Sequence, residues 1–247
     1  MATRKELDNA PRSARTAPAH RRQASYWDLR YRSDPSLFGK QASPFLRWVL
    51  DALPHGSMVP VWVELGAGYG RDLTKPREVG YRARGVDVSR VGTQLARRAG
   101  FHVARAHALD FLLGLEADSV GVVFSNILLN MEFTEADHRR LFAQVARVLA
   151  PGGFHAYSVR AVSDPWYGRG TPVGPDMFDL APDGPVLHFF SRAYARRLRS
   201  GRFRPFRLEE RAEDHGDFPV RVLYVLDRKP LRRARGRTGP IRVPASR

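Results

Sequence analysis

Three observations predict an α/β domain built on a mostly parallel sheet. Strand-like and helix-like segments alternate from residue 59 to residue 159, the pattern of successive βαβ units. The first strand segment ends in a glycine cluster, Gly66-Ala67-Gly68-Tyr69-Gly70, where such sheets turn into a helix. The chain has 247 residues, 43% of them hydrophobic, and suits one three-layer αβα sandwich. No apolar run reaches the about 20 residues that a membrane helix needs.

Each element follows from local signals. Residues 1–22 are rich in Arg, Ala, Pro and Ser without periodicity and are expected to be disordered, with order beginning near Ser25. Ser43-Pro44 reads as an N-cap and first helical residue, and Phe45, Leu46, Val49, Leu50 and Leu53 follow at helical spacing. Strands are expected at 59–65, 81–88, 101–106, 120–125 and 154–159. Pro76 falls inside the helix after the first strand, so that helix should be short or kinked. Ser89 caps a helix that carries Leu95 and Ala96. Thr134 opens the most regular helix, with Asp137 placed for a capping box and Leu141, Phe142, Val145, Val148 and Leu149 on one face. Pro151-Gly152-Gly153 ends it. Residues 163–186, dense in Pro, Gly and Asp, read as a long functional loop. A helix at 191–200 and strands near 206–210 and 218–226 complete a domain at 23–227, flanked by basic tails at 1–22 and 228–247.

The net charge of +16 suggests nucleic acid until it is divided along the chain. Residues 1–40 carry +5 and residues 228–247 carry +8, which leaves only +3 on residues 41–227. No aromatic residue interleaves the C-terminal run to stack on bases, so a solvated tail is favoured over a nucleic-acid arm. The absence of cysteine excludes disulfides, thiolate metal sites, cysteine-held iron–sulfur clusters and a cysteine nucleophile. No metal-ligand cluster stands out, and none is expected. The first residues lack an apolar h-region, so a cytoplasmic location without membrane attachment is expected.

The glycine cluster carries the chemistry. Glycines there adopt positive φ and let the backbone approach a ligand. Asp87 ends the next strand 19 positions after Gly68, where an acid hydrogen-bonds a ribose diol. A nucleoside-containing cofactor is therefore expected, of the NAD or the S-adenosylmethionine type. Glu64 stands two residues before the first glycine, in a GxGxG rather than GxGxxG context. A carboxylate beside a pyrophosphate is repelled, whereas a methionyl ammonium is attracted, so charge favours S-adenosylmethionine.

With these residues in place, the chain over about 40–227 resembles the class I S-adenosylmethionine-dependent methyltransferases. Glu64 to Gly70 is similar to their first motif and Gly85-Val86-Asp87-Val88-Ser89 to their second-strand acid. Asp118 to Asn126 resembles their fourth strand, and Arg147 to Phe154 their Pro-Gly-Gly transition into strand five. The resemblance implies a Rossmann-like, seven-stranded sheet with strand seven antiparallel, and S-adenosylhomocysteine as product. It implies cofactor contacts from Glu64, Gly66, Ala67, Gly68, Gly70, Arg71, Asp87, Val88, His107, Ala108 and Asn126. Tyr26 to Gly39, Gly68 to Asp72 and the loop after strand five look most like the tellurite-resistance and thiopurine methyltransferase branch. In that branch an N-terminal aromatic segment covers the cofactor, which makes 23–42 a lid segment, with Trp27 and Phe38 either in the lid or packed under the sheet.

The chain departs from the family at His107-Ala108, where Asp-Ala is usual. His107 can accept from the adenine amino group through a neutral ring nitrogen, or Asp110 replaces the acid. Ser125-Asn126-Ile127-Leu128 is not the Asn/Asp-Pro-Pro-aromatic run of enzymes that methylate exocyclic amines of bases, which favours a small-molecule acceptor. In-line displacement at a sulfonium needs positioning and desolvation, and needs a base only for an oxygen or nitrogen acceptor. Arg160, Asp164, Asp176 and His188 are the charged or titratable candidates on the expected acceptor side, with Trp166, Tyr167 and Phe178 as apolar walls. Loop salt bridges are the alternative for the charged residues, and a core position beside Phe189-Phe190 is the alternative for His188. Two rival functions stand beside small-molecule methylation. One is an RNA or protein methyltransferase guided by the basic tails, and the other is a non-catalytic nucleoside-binding module. The oligomeric state is left open by the sequence.

Overall fold

Alternate side chains along the central strands enter two separate apolar clusters, one on each side of a single sheet. Trp62, Val122 and Phe124 belong to one cluster, and Val63, Val123 and Tyr157 to the other. A sheet apolar on both faces requires helices on both. The computed structural model describes residues 18–54, 59–181, 184–214 and 219–231.

In chain order the elements begin with α1 (Pro18–Ser33), α2 (Pro44–Ala52), β1 (Val61–Leu65), α3 (Thr74–Glu78), β2 (Arg82–Asp87), α4 (Arg90–Arg98), β3 (Val103–Arg105) and α5 (Ala108–Leu113). They continue with β4 (Val120–Asn126), α6 (Glu135–Val148), β5 (Leu149–Arg160), β6 (Thr171–Gly174), β7 (Met177–Asp179), β8 (Val186–His188), α7 (Arg192–Arg199), β9 (Arg204–Asp214) and β10 (Pro219–Arg228). The main sheet has seven strands in the order β3-β2-β1-β4-β5-β10-β9. Its first five strands are parallel, and β10 inserts antiparallel between β5 and β9, with Val222 opposite Arg160 and Arg228 opposite Phe154. This is the Rossmann-like, mostly parallel sheet with one antiparallel strand that the sequence predicted.

The helix starts follow their capping residues. Ser43 accepts the Leu46 N–H with Pro44 in the first turn, and Ser89 accepts the Gly92 N–H. Thr134 and Asp137 form the reciprocal capping box of α6. The segment after β1 is a 3-10 turn, Arg71–Leu73, followed by the five-residue α3 that contains Pro76, as the misplaced proline foretold.

Three expectations are corrected. Residues 18–22, placed in a disordered tail, belong to α1, while residues 1–17 lie outside the described residues. Polar and basic side chains hide the helix because tertiary contacts, rather than an apolar stripe, hold it. The expected loop at 163–186 contains a three-stranded antiparallel sheet, β6-β7-β8, with residues 182–183 outside the described set. At the other end, Arg228 completes β10 and Lys229 donates to Asp118 Oδ1 at 2.7 Å, so the sheet includes the first tail residues. Residues 232–247, the rest of that tail, lie outside the described residues.

Candidate active site

The turn after β1 forms the floor. The Gly66 and Ala67 N–H groups both donate to the Val86 carbonyl, at 2.8 and 3.0 Å, which ties the turn to β2. Gly68 has φ +51°, and a Cβ there would lie 2.3 Å from the Tyr31 hydroxyl. Glycine at this position therefore both permits the backbone and lets α1 come down onto the turn. Asp87, at the end of β2, accepts the Gly68 N–H at 2.8 Å and the Ser89 N–H at 2.7 Å. Burial pushes its carboxyl up to about 6, against the lowering effect of those two donors.

Glu64, one residue before the end of β1, is 3% exposed. Its Oε2 is buried with no hydrogen-bond partner. Burial, reinforced by the neighbouring Asp72, raises its carboxyl well above the usual range. Asp72 is itself buried, accepting the Ser43 N–H at 2.7 Å and the Asn126 Nδ2–H at 3.3 Å. Asn126 Oδ1 in turn accepts the Ser158 hydroxyl at 2.5 Å. The next residue, Ile127, has φ +58°, a strained conformation for a β-branched side chain, and its N–H is fixed on the Ser158 carbonyl at 3.1 Å. The end of β4 is thus rigidly presented beside the glycine turn.

The roof comes from the N-terminal segment. Trp27 stacks on Tyr31 with centroids 5.8 Å apart and lies 6.1 Å from Phe38, and Tyr31 meets Tyr69 edge-on at 5.8 Å. Asp28 accepts the Ser89 hydroxyl at 2.6 Å and the Val91 N–H at 3.0 Å, which docks α1 on the start of α4. The Tyr69 hydroxyl donates to the Gly39 carbonyl at 2.7 Å and accepts the Phe38 N–H at 3.1 Å. Arg71 donates to the Phe38 carbonyl and places its guanidinium 5.6 Å from the ring centroid. An exposed pair between Arg22 and Asp179, 2.6 Å long, joins α1 to β7. Beneath this roof lies a cavity of about 1100 Å³.

Most of the expected cofactor residues converge on this cavity. Glu64, Gly66, Ala67 and Arg71 line it from the turn side; Asp87, Val88, His107, Ala108 and Asn126 line it from the other strand ends. Trp27 and Phe38 line it from the roof. Gly68 and Gly70 shape the turn without lining the space. His107 caps α5, and its Nδ1 accepts the Leu109 N–H at 3.3 Å. In a neutral ring the proton then sits on Nε2, so this face of the histidine donates rather than accepts. Asp110, the alternative acid, is not part of the lining.

The acceptor-side candidates lie elsewhere. Arg160 Nε donates to Asp164 Oδ2 at 3.1 Å, and Asp164 also accepts the Arg221 and Trp166 N–H groups, both at 2.8 Å. His188 is buried in an aromatic cluster, stacked on Tyr194, with Nδ1 on the Phe133 carbonyl at 2.8 Å. Tyr167 donates to Asp176 at 2.7 Å and packs edge-on against Phe178 and Phe189. None of Arg160, Asp164, His188, Trp166, Tyr167, Asp176 and Phe178 lines the cavity. Sequence reasoning had not singled out Asp72, Tyr31, Tyr69 and Ser43, which do. Asp72 was available as a signal, as an acid two residues after the glycine run.

The residues present fit S-adenosylmethionine. The unsatisfied Glu64 oxygen lacks a donor that an ammonium would provide, and Asp87 stands where ribose hydroxyls would meet it. Glu64, Asp72 and Asp87 together make the turn hostile to a pyrophosphate. Residues 63–157 match the family model described as a methyltransferase domain. Compared by sequence with curated proteins, the chain finds no match. Among solved structures it is similar to an S-adenosylmethionine-dependent methyltransferase from Mesorhizobium loti, at 25% identity over 75% of this chain and 96% of that one, with a TM-score of 0.57. Two likenesses of the fold alone are stronger in coverage. The 1,6-didemethyltoxoflavin-N1-methyltransferase of Burkholderia thailandensis is 18% identical over 88% of this chain and 93% of that one, with a TM-score of 0.63. The geranyl diphosphate C-methyltransferase of Streptomyces coelicolor A3(2) is 14% identical over 88% and 100%, with a TM-score of 0.60. Among the described residues no helix is long and apolar enough to cross a membrane. With a methyltransferase domain at 63–157 inside this Rossmann-like fold, the protein is an S-adenosylmethionine-dependent methyltransferase.

Proposed function

We propose that the protein transfers a methyl group from S-adenosylmethionine to a small-molecule acceptor by in-line SN2 displacement. The observation that carries this reading is the roofed cavity. Its volume of about 1100 Å³, closed over by α1 and the following segment, suits a cofactor with one small partner better than a polymer. The fold relatives named above include enzymes whose acceptors are small, a toxoflavin precursor and geranyl diphosphate. The aromatic roof of Trp27 and Phe38 supports a place near the tellurite-resistance and thiopurine methyltransferase branch.

When bound, the cofactor supplies an electrophilic methyl on a sulfonium; the acceptor's lone pair forms the new bond as the carbon–sulfur bond breaks. Glu64 pairs with the methionyl ammonium, and Asp87 accepts from the ribose hydroxyls. His107, Val88 and Ala108 flank the adenine, and Arg71 answers the methionyl carboxylate. Asn126, held by Ser158 and Asp72, fixes the strand end beside the reacting atoms. Trp27 and Phe38 exclude water. No proton is routed through Arg160, Asp164 or His188, which do not line the cavity. Catalysis then rests on positioning and desolvation.

The test is incubation with methyl-tritiated S-adenosylmethionine and a cell extract divided by ultrafiltration into small molecules and polymers. Label should appear in the small-molecule fraction, in a product separated from unreacted S-adenosylmethionine by chromatography. Label confined to the retained RNA or protein would contradict the proposal.

A further inference from the structure

The cavity is lined by acids and cations from several elements. Its acids Glu64, Asp72 and Asp87 lie on the floor, where Asp72 and Asp87 already accept backbone N–H groups and Glu64 faces the cofactor's ammonium. Of its cations, Arg30, Lys40 and Arg47 lie on the N-terminal segments, whereas Arg71 on the turn pairs with Asp72 and Arg211 on β9 pairs with Glu209. Arg47 donates to the Ala42 carbonyl. Arg30 and Lys40 form no ion pair among the described residues. Across the cavity, on the end of β9, Glu213 accepts the Tyr224 hydroxyl, and Asp214 makes no ion pair with either cation. Trp27 and Phe38 on the roof, with Leu128, Met131 and Phe133 after β4, give the cavity an apolar belt. Phe38 keeps 42% of its surface exposed and lines the same cavity.

We infer that the acceptor is an amphipathic acid, with an apolar body seated on the Trp27–Phe38–Met131 belt and a carboxylate or phosphate held at the rim by Arg30 and Lys40. This rests on the small-molecule reading above and specifies its substrate class. The arrangement turns the anionic group toward the roof and the far end of the molecule toward the floor, where the methyl is delivered. The floor repels the anionic end, because its acids are of like sign, so the two ends cannot exchange places without loss. The belt supplies area and the rim supplies orientation, since partly exposed cations contribute modestly each.

The test uses the protein saturated with S-adenosylhomocysteine and two probes of equal shape, naphthoate and the neutral naphthamide, titrated calorimetrically. Naphthoate should bind about tenfold more tightly than naphthamide, and the double variant Arg30→Ala/Lys40→Ala should erase that preference while S-adenosylhomocysteine affinity stays within about twofold. Equal affinity for the two probes, binding of neither, or a preference that survives in the double variant overturns the inference. Loss of S-adenosylhomocysteine binding by the wild type would instead remove the methyl-transfer reading on which it rests.

Discussion

Glu64 lies in a buried stretch of strand, with one carboxylate oxygen that no group among the described residues satisfies. Burial and the nearby Asp72 favour its protonated form before the cofactor binds. A bound ammonium favours the carboxylate, so cofactor binding should release a proton, and affinity should rise with pH until the raised value is passed. Calorimetry of S-adenosylhomocysteine binding at neutral pH in phosphate and in Tris should give different apparent enthalpies for the wild type. Glu64→Gln should abolish that difference and weaken binding by about tenfold to a hundredfold, as expected for a charged hydrogen bond. A buffer-independent enthalpy in the wild type would refute the assignment. Glu64 and Asp87 were legible because strand, glycine turn and strand-end acid have a fixed spacing in sequence. The tautomer of His107 and the role of Asp72 were not, since both are set by partners, Leu109 N–H for one and Ser43 and Asn126 for the other, that only the folded chain brings near. The same holds for Arg160, Asp164 and His188, which were chosen by their place after strand five and whose side chains point into local networks.

Elements announced by their own caps were read correctly, and α6 is the clearest. The Thr134–Asp137 box satisfies backbone donors at both ends of its first turn. Thr134→Ala should cost about 1 kcal/mol in urea denaturation with an unchanged m-value, and leave S-adenosylhomocysteine affinity as it was. An unchanged midpoint would show that the cap is dispensable. Elements held by tertiary contact were missed. In α1 the stabilising groups are Asp28 on the start of α4 and the Trp27–Tyr31 stack over the turn, neither of which leaves a helical hydrophobic period in the sequence. The small sheet β6-β7-β8 escaped notice because strands of three or four residues are too short for alternation to register among prolines and glycines. Both missed elements border the roof or its clasp to β7, so the parts least visible in sequence are those that close the site.

At the scale of the molecule, the alternation of strands and helices dictated a sheet covered on both faces, and the two apolar clusters realise it. Alternation alone does not give strand order or the direction of β10. The antiparallel last strand was implied by the family resemblance, and β10 agrees with it; the order β3-β2-β1-β4-β5-β10-β9 is supplied by the structure. This order brings the ends of β1, β2 and β4 together, so that Glu64, Asp87 and Asn126, far apart in sequence, line one cavity. The most direct test of that convergence is isothermal titration with S-adenosylmethionine, S-adenosylhomocysteine and NAD, for the wild type and Asp87→Ala. Micromolar binding of the first two, absent for NAD and weakened about tenfold or more in the variant, is the expected result. Tight NAD binding without response to S-adenosylmethionine, or cofactor affinity indifferent to Asp87, would contradict it.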